Sequence, residues 1–446
     1  MSAAADDEPG LVRSLGQVQA IALNMNNMVG AGPFITIPLI IAAMGGPQCM
    51  LGWVLGAVLA LSDGLVWSEL AAAMPGTGGT YVYLREAFRK TRLGGVLPFL
   101  FIWQFILSAP LEIASGYIGF VQYAGYFLPN LGTTGGRIVS TTVGLLVIAL
   151  LYRRIESIGR MTVVLWIGML LTVFVVIISG LTHFNAALVL DFPPDAFTFS
   201  RGFAAGLGSA MLIAMYDFSG YFDICYVAGE VKQPAKVIPR AILWSVVLVA
   251  TMYALVNLSL MAVIPWREAM KSTFIVTEFM QRLYGPAAAS AVTLLVMWTA
   301  IASVSALLLG YSRIAWAAAK EGDFFSIFGR LHPTGQFPHV ALLILGILSI
   351  LGSFFSLGDV ISALLTSRIL IQFVGQIAAL HILRTRREMD FPFRMWFYPV
   401  PSMLALTGWL YIFATSGWGF AGLGLATVVA GVAAYHLWTG LRPARA

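Results

Sequence analysis

The sequence has few charged residues and almost no cysteine. Asp, Glu, Lys and Arg make up only 10% of its 446 residues, against about 25% in an ordinary soluble domain. The two cysteines, Cys49 and Cys225, lie far apart in apolar stretches. This pattern indicates neither a disulfide framework nor a cysteine-rich metal site. The composition therefore excludes a typical soluble domain and a small protein held together by disulfides.

Histidine, a common side chain in metal and acid–base sites, is also scarce. The sequence has five histidines, and no two of them have the spacing of a metal-ligand pair. In "HPTGQFPH" two of them flank a loop that offers no acid or cysteine to complete a site. We therefore expect no catalytic residue, no metal and no cofactor, and a membrane-embedded enzyme is disfavoured.

Apolar residues fill most of the chain. They account for 59% of it, and the mean hydropathy is +0.86. Runs of about 20 apolar residues, each long enough to cross the hydrocarbon of a bilayer as a helix, recur with short loops between them. We expect an all-α integral membrane protein. Gly, Pro and charge punctuation predict about twelve transmembrane helices, near residues 15–43, 47–75, 96–128, 136–155, 158–182, 201–229, 239–264, 287–319, 338–355, 358–382, 396–415 and 419–439.

The basic residues predict the orientation of the chain. With the N-terminus inside, nineteen of the 26 Lys and Arg residues fall in cytoplasmic segments. Because cytoplasmic loops are enriched in Lys and Arg, an even number of spans is favoured, with cytoplasmic tails at 1–14 and 440–446. The acidic start "MSAAADDEPG" lacks the features of a secretory signal. The net charge of +6 is thus a topology signal beside anionic lipid of the cell membrane, and we expect no nucleic-acid partner.

The first predicted span contains a stretch that disrupts a helix, "NNMVGAGPFITIP". A non-helical backbone at bilayer depth is tolerated only where it is buried in protein or lines a polar cavity. Amides freed at "VGAGPF" lie at the N-terminal end of the outer half-helix, where the helix dipole favours a carboxylate. The small Ala31, between Gly30 and Gly32, lets a ligand approach the backbone. The alternative is a plain proline kink with close helix packing.

The sixth predicted span is interrupted in the same way. In "SAMLIAMYDFSGYFDICYVAGEV" polar residues, including Asp217 and Asp223, lie in the middle of an apolar segment. Each carboxylate at membrane depth costs about 2.5–3.5 kcal/mol on insertion scales and is seldom kept without a polar cavity or a partner. Breaks in the first and sixth helices are typical of an inverted pair of five-helix repeats that hold a ligand between them.

Several motifs together resemble one family. "GAGPF" in span one, "SELAAAMPGTGGTYVYLREAF" after span two, "AGEVKQPAKVIPRAI" after span six and "AKEGDFFSIFGRLHPTGQFPHVAL" after span eight are similar to the amino acid–polyamine–organocation superfamily of transporters. "GPF" and "AGEV" are closest to its polyamine and cationic amino acid branch. The resemblance implies a LeuT-like fold, with one inverted repeat at 15–182, a second at 201–382 and two more helices at 396–439.

The resemblance also implies roles for residues of the two breaks. Gly30, Ala31 and Gly32 would receive a substrate carboxylate, although many members have Ser where this chain has Ala31. Tyr216 would be the aromatic gate over the substrate. In the unwound part of the sixth span, the carbonyls of Ser219 and Gly220 would accept from an ammonium group. Asn27 and Met28, which precede the first break, would face the same cavity.

The acidic residues decide the expected substrate. Glu112, in "LSAPLEIASGY" of span three, could join Asp217 and Asp223 in a pocket for an ammonium or guanidinium group. The alternative is a structural ion pair between Glu112 and Arg368 of span ten. The two readings can coexist, because a buried acid that exchanges a proton or an arginine for substrate would couple transport to protons.

The residues of spans five and eight bear on the ion to which transport is coupled. Some members of the family that this chain resembles have a lysine in span five in place of a sodium ion, and span five here has none. Ser303 and Ser305 of span eight could supply hydroxyl ligands for sodium, although such serines more often bond their own backbone. Coupling to protons or to an exchanged substrate is therefore placed ahead of sodium, with Glu112, Arg368 and Ser303 as candidates.

We thus expect a secondary active permease for amino acids or small amines, polyamines among them, working by alternating access. Within that class a neutral amino acid permease is the alternative. Another possibility is a non-transporting sensor or accessory protein on the same fold. Family members often dimerise through spans eleven and twelve, so a homodimer is possible.

Overall fold

The computed structural model describes residues 15–76, 78–152, 158–335, 337–386 and 389–440. Within these ranges the chain is helical, apart from loops and one isolated bridge between Leu15 and Val231. The predicted tails lie outside the described residues, except for residue 440. The α-helices are α1 Gln17–Met28, α2 Gly32–Met44, α3 Met50–Ala73, α4 Thr80–Phe88, α5 Val96–Phe127, α6 Gly132–Leu151, α7 Ile158–Thr182, α8 Ala186–Val189, α9 Arg201–Phe218, α10 Pro234–Met261, α11 Trp266–Ala269, α12 Ile275–Tyr284, α13 Pro286–Lys320, α14 His339–Gly352, α15 Leu357–Arg368, α16 Gly375–Thr385, α17 Val400–Thr415 and α18 Trp418–Gly440.

The helices identify a multi-pass membrane protein. Seven helical segments in the described ranges are long and apolar enough to cross a membrane, and the bent pair α1 and α2 makes an eighth. Three shorter apolar helical segments cover residues 167–182, 339–352 and 400–415. Each of the twelve predicted spans contains a helix or a helix pair. The short helices α4, α8, α11 and α12 lie in segments that the sequence analysis treated as loops.

The first break has the form that its sequence predicts. Helices α1 and α2 meet at 54°, and residues 29–31 separate them. Proline follows Gly32 at the start of α2, where a missing backbone N–H costs nothing. The helix ends at Gly45, which adopts a left-handed conformation with φ of 70°. Gly and Pro therefore set both the break and the length of the second half-helix.

The second break extends from the end of α9 to the end of the predicted sixth span. The predicted span 201–229 is α-helical only as far as Phe218. Gly220 then turns the chain with φ of 112°, a conformation that favours glycine. The rest of the predicted span consists of two short 3-10 turns, Asp223–Tyr226 and Ala228–Glu230. The interrupted span thus consists of a helix and an unwound segment, which we define as residues 219–230.

The two broken segments lie together inside the bundle. Helix α2 packs against α9, and α1 packs against the unwound segment, α10 and α13. Long helices surround them, with α3 on α10 and α9, and α5 on α13, α14 and α15. Helix α15 continues through a π-helical stretch, Ile369–Val374, into α16. A π-helical stretch in a long helix often accompanies a functional site.

Candidate functional site

A small central cavity lies between the two broken segments, with a volume of about 30 Å³. Helices α5 and α13 close it on the remaining sides. Most of the residues predicted from the sequence line it, namely Asn27, Met28, Gly30, Ala31, Gly32, Glu112, Tyr216, Asp217, Ser219 and Ser303. The sequence analysis did not anticipate Ser115, Gly116, Val304 and Leu307, which complete the lining. A cavity of this size has room for a water molecule or two.

The wall formed by the first break offers backbone donors. In the described structure, no acceptor contacts the amide N–H of Ala31 or Gly32, whereas the amide of Phe34 donates to the carbonyl of Ala31. The first amides of a helix lack intrahelical acceptors, and the helix dipole adds a partial positive charge there. The start of α2 can therefore bind an anionic group such as a carboxylate.

Tyr216 lies on the last turn of α9, against the opposite wall. Its hydroxyl is 2.6 Å from the hydroxyl of Ser115 on α5, so the two side chains form a hydrogen bond across the cavity. Ser115 also donates to the carbonyl of Glu112 at 2.5 Å. The ring of Tyr216 is partly buried. This bond fixes the ring over the cavity, and its loss would allow the ring to turn away.

The carboxylate of Asp217 is bound locally. Thr36 of α2 donates a hydrogen bond to Asp217 Oδ2 at 2.6 Å, and Asp217 Oδ1 lies so close to Gly32 that a Cβ there would be 2.2 Å from it. Among the described residues, no donor contacts Oδ1. The acid thus lies at the positive end of α2, ties α9 to it and still borders the central cavity.

Glu112 is held by an arginine. Its Oε2 lies 2.8 Å from Nη2 of Arg368 and accepts a hydrogen bond from the Tyr311 hydroxyl at 2.7 Å. The Nε of Arg368 donates to Ser108 at 3.0 Å. The side chains of Arg368 and Glu112 are only 3% and 10% exposed. The structure therefore contains the ion pair that the sequence analysis offered as the alternative role of Glu112.

Two predicted residues lie away from the central cavity. Gly220 packs so closely on the first break that a Cβ would lie 2.9 Å from Cβ of Asn27 and 3.1 Å from the amide nitrogen of Met28. Asp223 accepts a hydrogen bond from the Asn27 side chain at 2.6 Å. The extra turn of the unwound segment carries Asp223 past the cavity, so that it does not share a pocket with Glu112 and Asp217.

Asp223 instead lines a second, larger cavity, which we call the vestibule. It has a volume of about 550 Å³ and lies between the unwound segment and α13. Asn27 and Leu307 line both the vestibule and the central cavity, so the two spaces adjoin. The vestibule is large enough for an amino acid, and the central cavity in this conformation is not.

Polar side chains that the sequence analysis missed hold the breaks together. The hydroxyl of Tyr253, on α10, lies 2.6 Å from the carbonyl oxygen of Met28 and 3.1 Å from that of Asp217. The Asn24 side chain donates to the carbonyl of Tyr221 at 2.6 Å and accepts from the amide of Ile224 at 3.0 Å. These bonds satisfy backbone groups that the breaks leave unpaired. A lone Tyr or Asn within an apolar span is the sequence feature that could have revealed them.

A further buried acid, Asp63 of α3, was not anticipated by the sequence analysis. Its Oδ2 accepts hydrogen bonds from the Trp67 indole at 2.9 Å and the Tyr221 hydroxyl at 2.5 Å. Tyr221 belongs to the unwound segment, so Asp63 fastens that segment to α3. Glu69, one turn and a half further on, forms a two-pronged ion pair with Arg384 at 2.5 and 2.6 Å, which fastens α3 to α16.

Cation ligands are sparse around the cavities. Ser303 lies beside the first break, where a Cβ at Gly30 would be 2.7 Å from its hydroxyl oxygen. Ser305 instead donates to the carbonyl of Ile301 at 2.7 Å. In the part of the chain that the structure describes, no group of three His, Cys, Asp or Glu side chains is placed to hold a metal ion.

A bundle with two broken helices around a small polar cavity is the architecture of a membrane transporter. The family model described as "Amino acid permease" matches residues 15–437. The chain belongs to this amino acid permease family, within the amino acid–polyamine–organocation superfamily.

The relatives agree with that membership. The chain is 25% identical to the serine/threonine exchanger SteT of Bacillus subtilis over 426 residues, which cover 92% of each chain. It is 26% identical to the human cystine/glutamate transporter, over 96% of this chain and 85% of that one. It is 24% identical to the branched-chain amino acid permease BcaP of Bacillus subtilis, over 98% and 95% of the two chains.

Proposed function

We propose that this permease is a secondary active transporter that binds an amino acid in the central cavity and works by alternating access. The observation that carries the proposal is the pair of unbonded amides, of Ala31 and Gly32, at the start of α2. They match the carboxylate that every α-amino acid has. Tyr216 closes over the bound molecule from the opposite wall.

The two cavities support alternating access. The central cavity has about 30 Å³ and the vestibule about 550 Å³, so an amino acid can occupy the centre only after the walls move apart. Tyr253 and Asn24 link both breaks by hydrogen bonds. Movement of one broken segment would therefore displace the other, as a rocking transition of two repeats requires.

The contacts of the acids favour amino acids over polyamines. Oε2 of Glu112 is paired with Arg368, and Oδ2 of Asp217 is bound by Thr36, so each carboxylate already has one oxygen engaged in this conformation. The names of the relatives refer to serine and threonine, to cystine and glutamate, and to branched-chain amino acids. A small amine or polyamine is the second candidate, and it requires that substrate displace Arg368 from Glu112.

Exchange is our preferred form of coupling, and the name of the serine/threonine exchanger supports it. Proton coupling through Glu112 is the alternative, and it would require that Glu112 separate from Arg368 during transport. Ser303 is the one candidate for a sodium ligand that lies beside the first break, so sodium is placed last.

The remaining architecture is proposed on the order of the helices. We place twelve spans in the cell membrane, with both termini cytoplasmic and inverted repeats at 15–182 and 201–382. The two helices at 396–439 follow the repeats and are the proposed contact of a homodimer with lipid around it. A sensor or accessory subunit with the same fold is the competing function.

The test is uptake of labelled serine, leucine, glutamate, arginine and putrescine by proteoliposomes. We expect Tyr216→Ala and Gly30→Leu each to reduce amino acid uptake at least tenfold while thermal stability is retained. Tyr284→Ala and Gly125→Leu are matched controls, since Tyr284 is an exposed tyrosine and a Cβ at Gly125 would meet no atom within 4 Å in the described structure. Full uptake in either site variant would refute the site. Binding without uptake by the folded native protein would favour the sensor.

A further inference from the structure

The vestibule has the size and lining of a binding site. Its volume of about 550 Å³ lies within the range of small-molecule pockets. Apolar side chains such as Ile102, Leu307 and Ile314 form much of the wall, with a few charged groups among them. This combination of an apolar wall and isolated polar groups is typical of sites that bind small amphiphilic molecules.

One of the charged groups, Arg313, stands out by its lack of a partner. It lies on α13 seven residues before Lys320, where the helix ends, so it is about 10 Å inside that end. Arg368 and Arg384 have carboxylate partners, whereas no acceptor contacts Arg313 among the described residues. An ionisable side chain within a span is expensive and by default has a functional partner.

Two of the carboxylates that line the vestibule already accept hydrogen bonds. Asp223 accepts from Asn27 at 2.6 Å through Oδ2, and Glu321 accepts from Arg85 at 3.1 Å. Asp223 is partly exposed, so it can take a further donor. The other titratable groups that line the vestibule are Glu230, Tyr81, Tyr226 and Tyr311. The vestibule thus offers a free cation on one wall and an accessible carboxylate on another.

We propose that the vestibule is a second amino acid site, in which Arg313 binds the α-carboxylate and Asp223 accepts from the ammonium group. The proposal rests on the proposed function of the central cavity. It adds a second binding site that the substrate occupies before it reaches that cavity. A guanidinium binds a carboxylate through two parallel hydrogen bonds. A zwitterion supplies both charges at once, which an amine or a simple anion does not.

The position of Asn27 connects the two sites. Its side chain bonds Asp223 in the vestibule, and the same residue lines the central cavity. An amino acid that reaches the vestibule therefore leaves it beside the first break. The vestibule site captures substrate from one face of the membrane only, so its loss should affect transport from that face.

The test measures labelled amino acid uptake by right-side-out and inside-out membrane vesicles. We expect Arg313→Gln to raise KM at least tenfold from the vestibule face and less than twofold from the other face. Arg313→Lys should give an intermediate KM from the vestibule face, because a lysine keeps the charge without the paired hydrogen bonds. Arg330→Gln, which removes an exposed arginine, should leave both values unchanged.

Each outcome separates this proposal from the one on which it rests. Equal KM changes from both faces, or no change from either, would overturn the vestibule site and leave the central site standing. Uptake by neither type of vesicle with the native protein would overturn both. Thermal unfolding of each variant provides the check on folding, and a folded Arg313→Gln with native kinetics from both faces is the clearest contrary result.

Discussion

The two breaks lie against each other but are built differently. The first is short, covers residues 29–31 and joins two α-helices at 54°. The second replaces the end of a span by the unwound segment, whose backbone is bonded by Asn24 and whose Tyr221 is held by Asp63. The first break leaves amides unbonded, while the second has its backbone groups satisfied by side chains. We therefore expect the first break to recognise the ligand and the second to keep the two segments in register.

The largest expected effect is at the point where the breaks touch. Gly220→Ala places a Cβ about 3 Å from backbone atoms of Asn27 and Met28 at a φ of 112° that alanine rarely adopts. We expect uptake to fall more than tenfold and the unfolding temperature to drop, with strain of about 1–3 kcal/mol. Gly125→Ala, where a Cβ would meet no atom within 4 Å, is the control. Native uptake by Gly220→Ala would mean that the breaks are not packed this closely.

A smaller effect is expected on the other side of the first break. Gly32→Ala directs a Cβ at Asp217 Oδ1, and the carboxylate can move only by weakening its bond from Thr36. We expect a folded protein with weaker amino acid binding. Asp217→Ala removes the obstructing atom. The double variant should therefore lose less stability than the sum of the losses in the two single variants. Additive changes in unfolding temperature would show that the two residues do not interact.

Tyr253→Phe tests the link that both breaks share. The variant leaves the carbonyls of Met28 and Asp217 without the hydroxyl that contacts them, and an unpaired buried acceptor costs about 1–3 kcal/mol. We expect a lower unfolding temperature and a moderate loss of uptake. Tyr284→Phe removes an exposed tyrosine hydroxyl for comparison. Identical behaviour of the two variants would exclude a role for Tyr253 in joining the breaks.

The smallest expected effect comes from Ala31→Ser. The variant adds one hydroxyl donor beside the amides proposed to receive the carboxylate. One neutral hydrogen bond contributes about 0.5–1.5 kcal/mol, so KM should fall by roughly tenfold at most. A strong rise in the KM of Ala31→Ser would contradict this expectation. It would indicate that ligand binding requires a small side chain at position 31 more than it gains from an additional donor.

The sequence predicted the elements that depend on local chemistry. Gly30, Gly32 and Pro33 disrupt a helix wherever they occur together, so the first break and its place in the cavity could be read from the chain. Tyr216 and Ser219 followed from a polar cluster in an apolar span. Resemblance to the family then placed these residues on facing walls.

The remaining features depend on distant contacts. The extent of the unwound segment is set by Gly220 packing on Asn27 and by Asn24 reaching Tyr221, and no local pattern specifies either. Asp223 was assigned to the central pocket because it belongs to the same polar cluster of the sixth span as Asp217. The choice between the two roles of Glu112 required the position of Arg368, which lies 256 residues further along the chain.

The most direct test of the central claim compares amino acids with the amines that lack only the carboxylate. Thermal unfolding of the purified protein is measured with leucine and isopentylamine, lysine and cadaverine, and arginine and agmatine, because a ligand of the native state raises its apparent stability. If the amides of Ala31 and Gly32 bind a carboxylate, at least one amino acid should raise the unfolding temperature and its amine should not. Equal stabilisation by an amine and its amino acid would contradict the account. It would indicate instead that Glu112 and Asp217 recognise the ammonium group of the ligand.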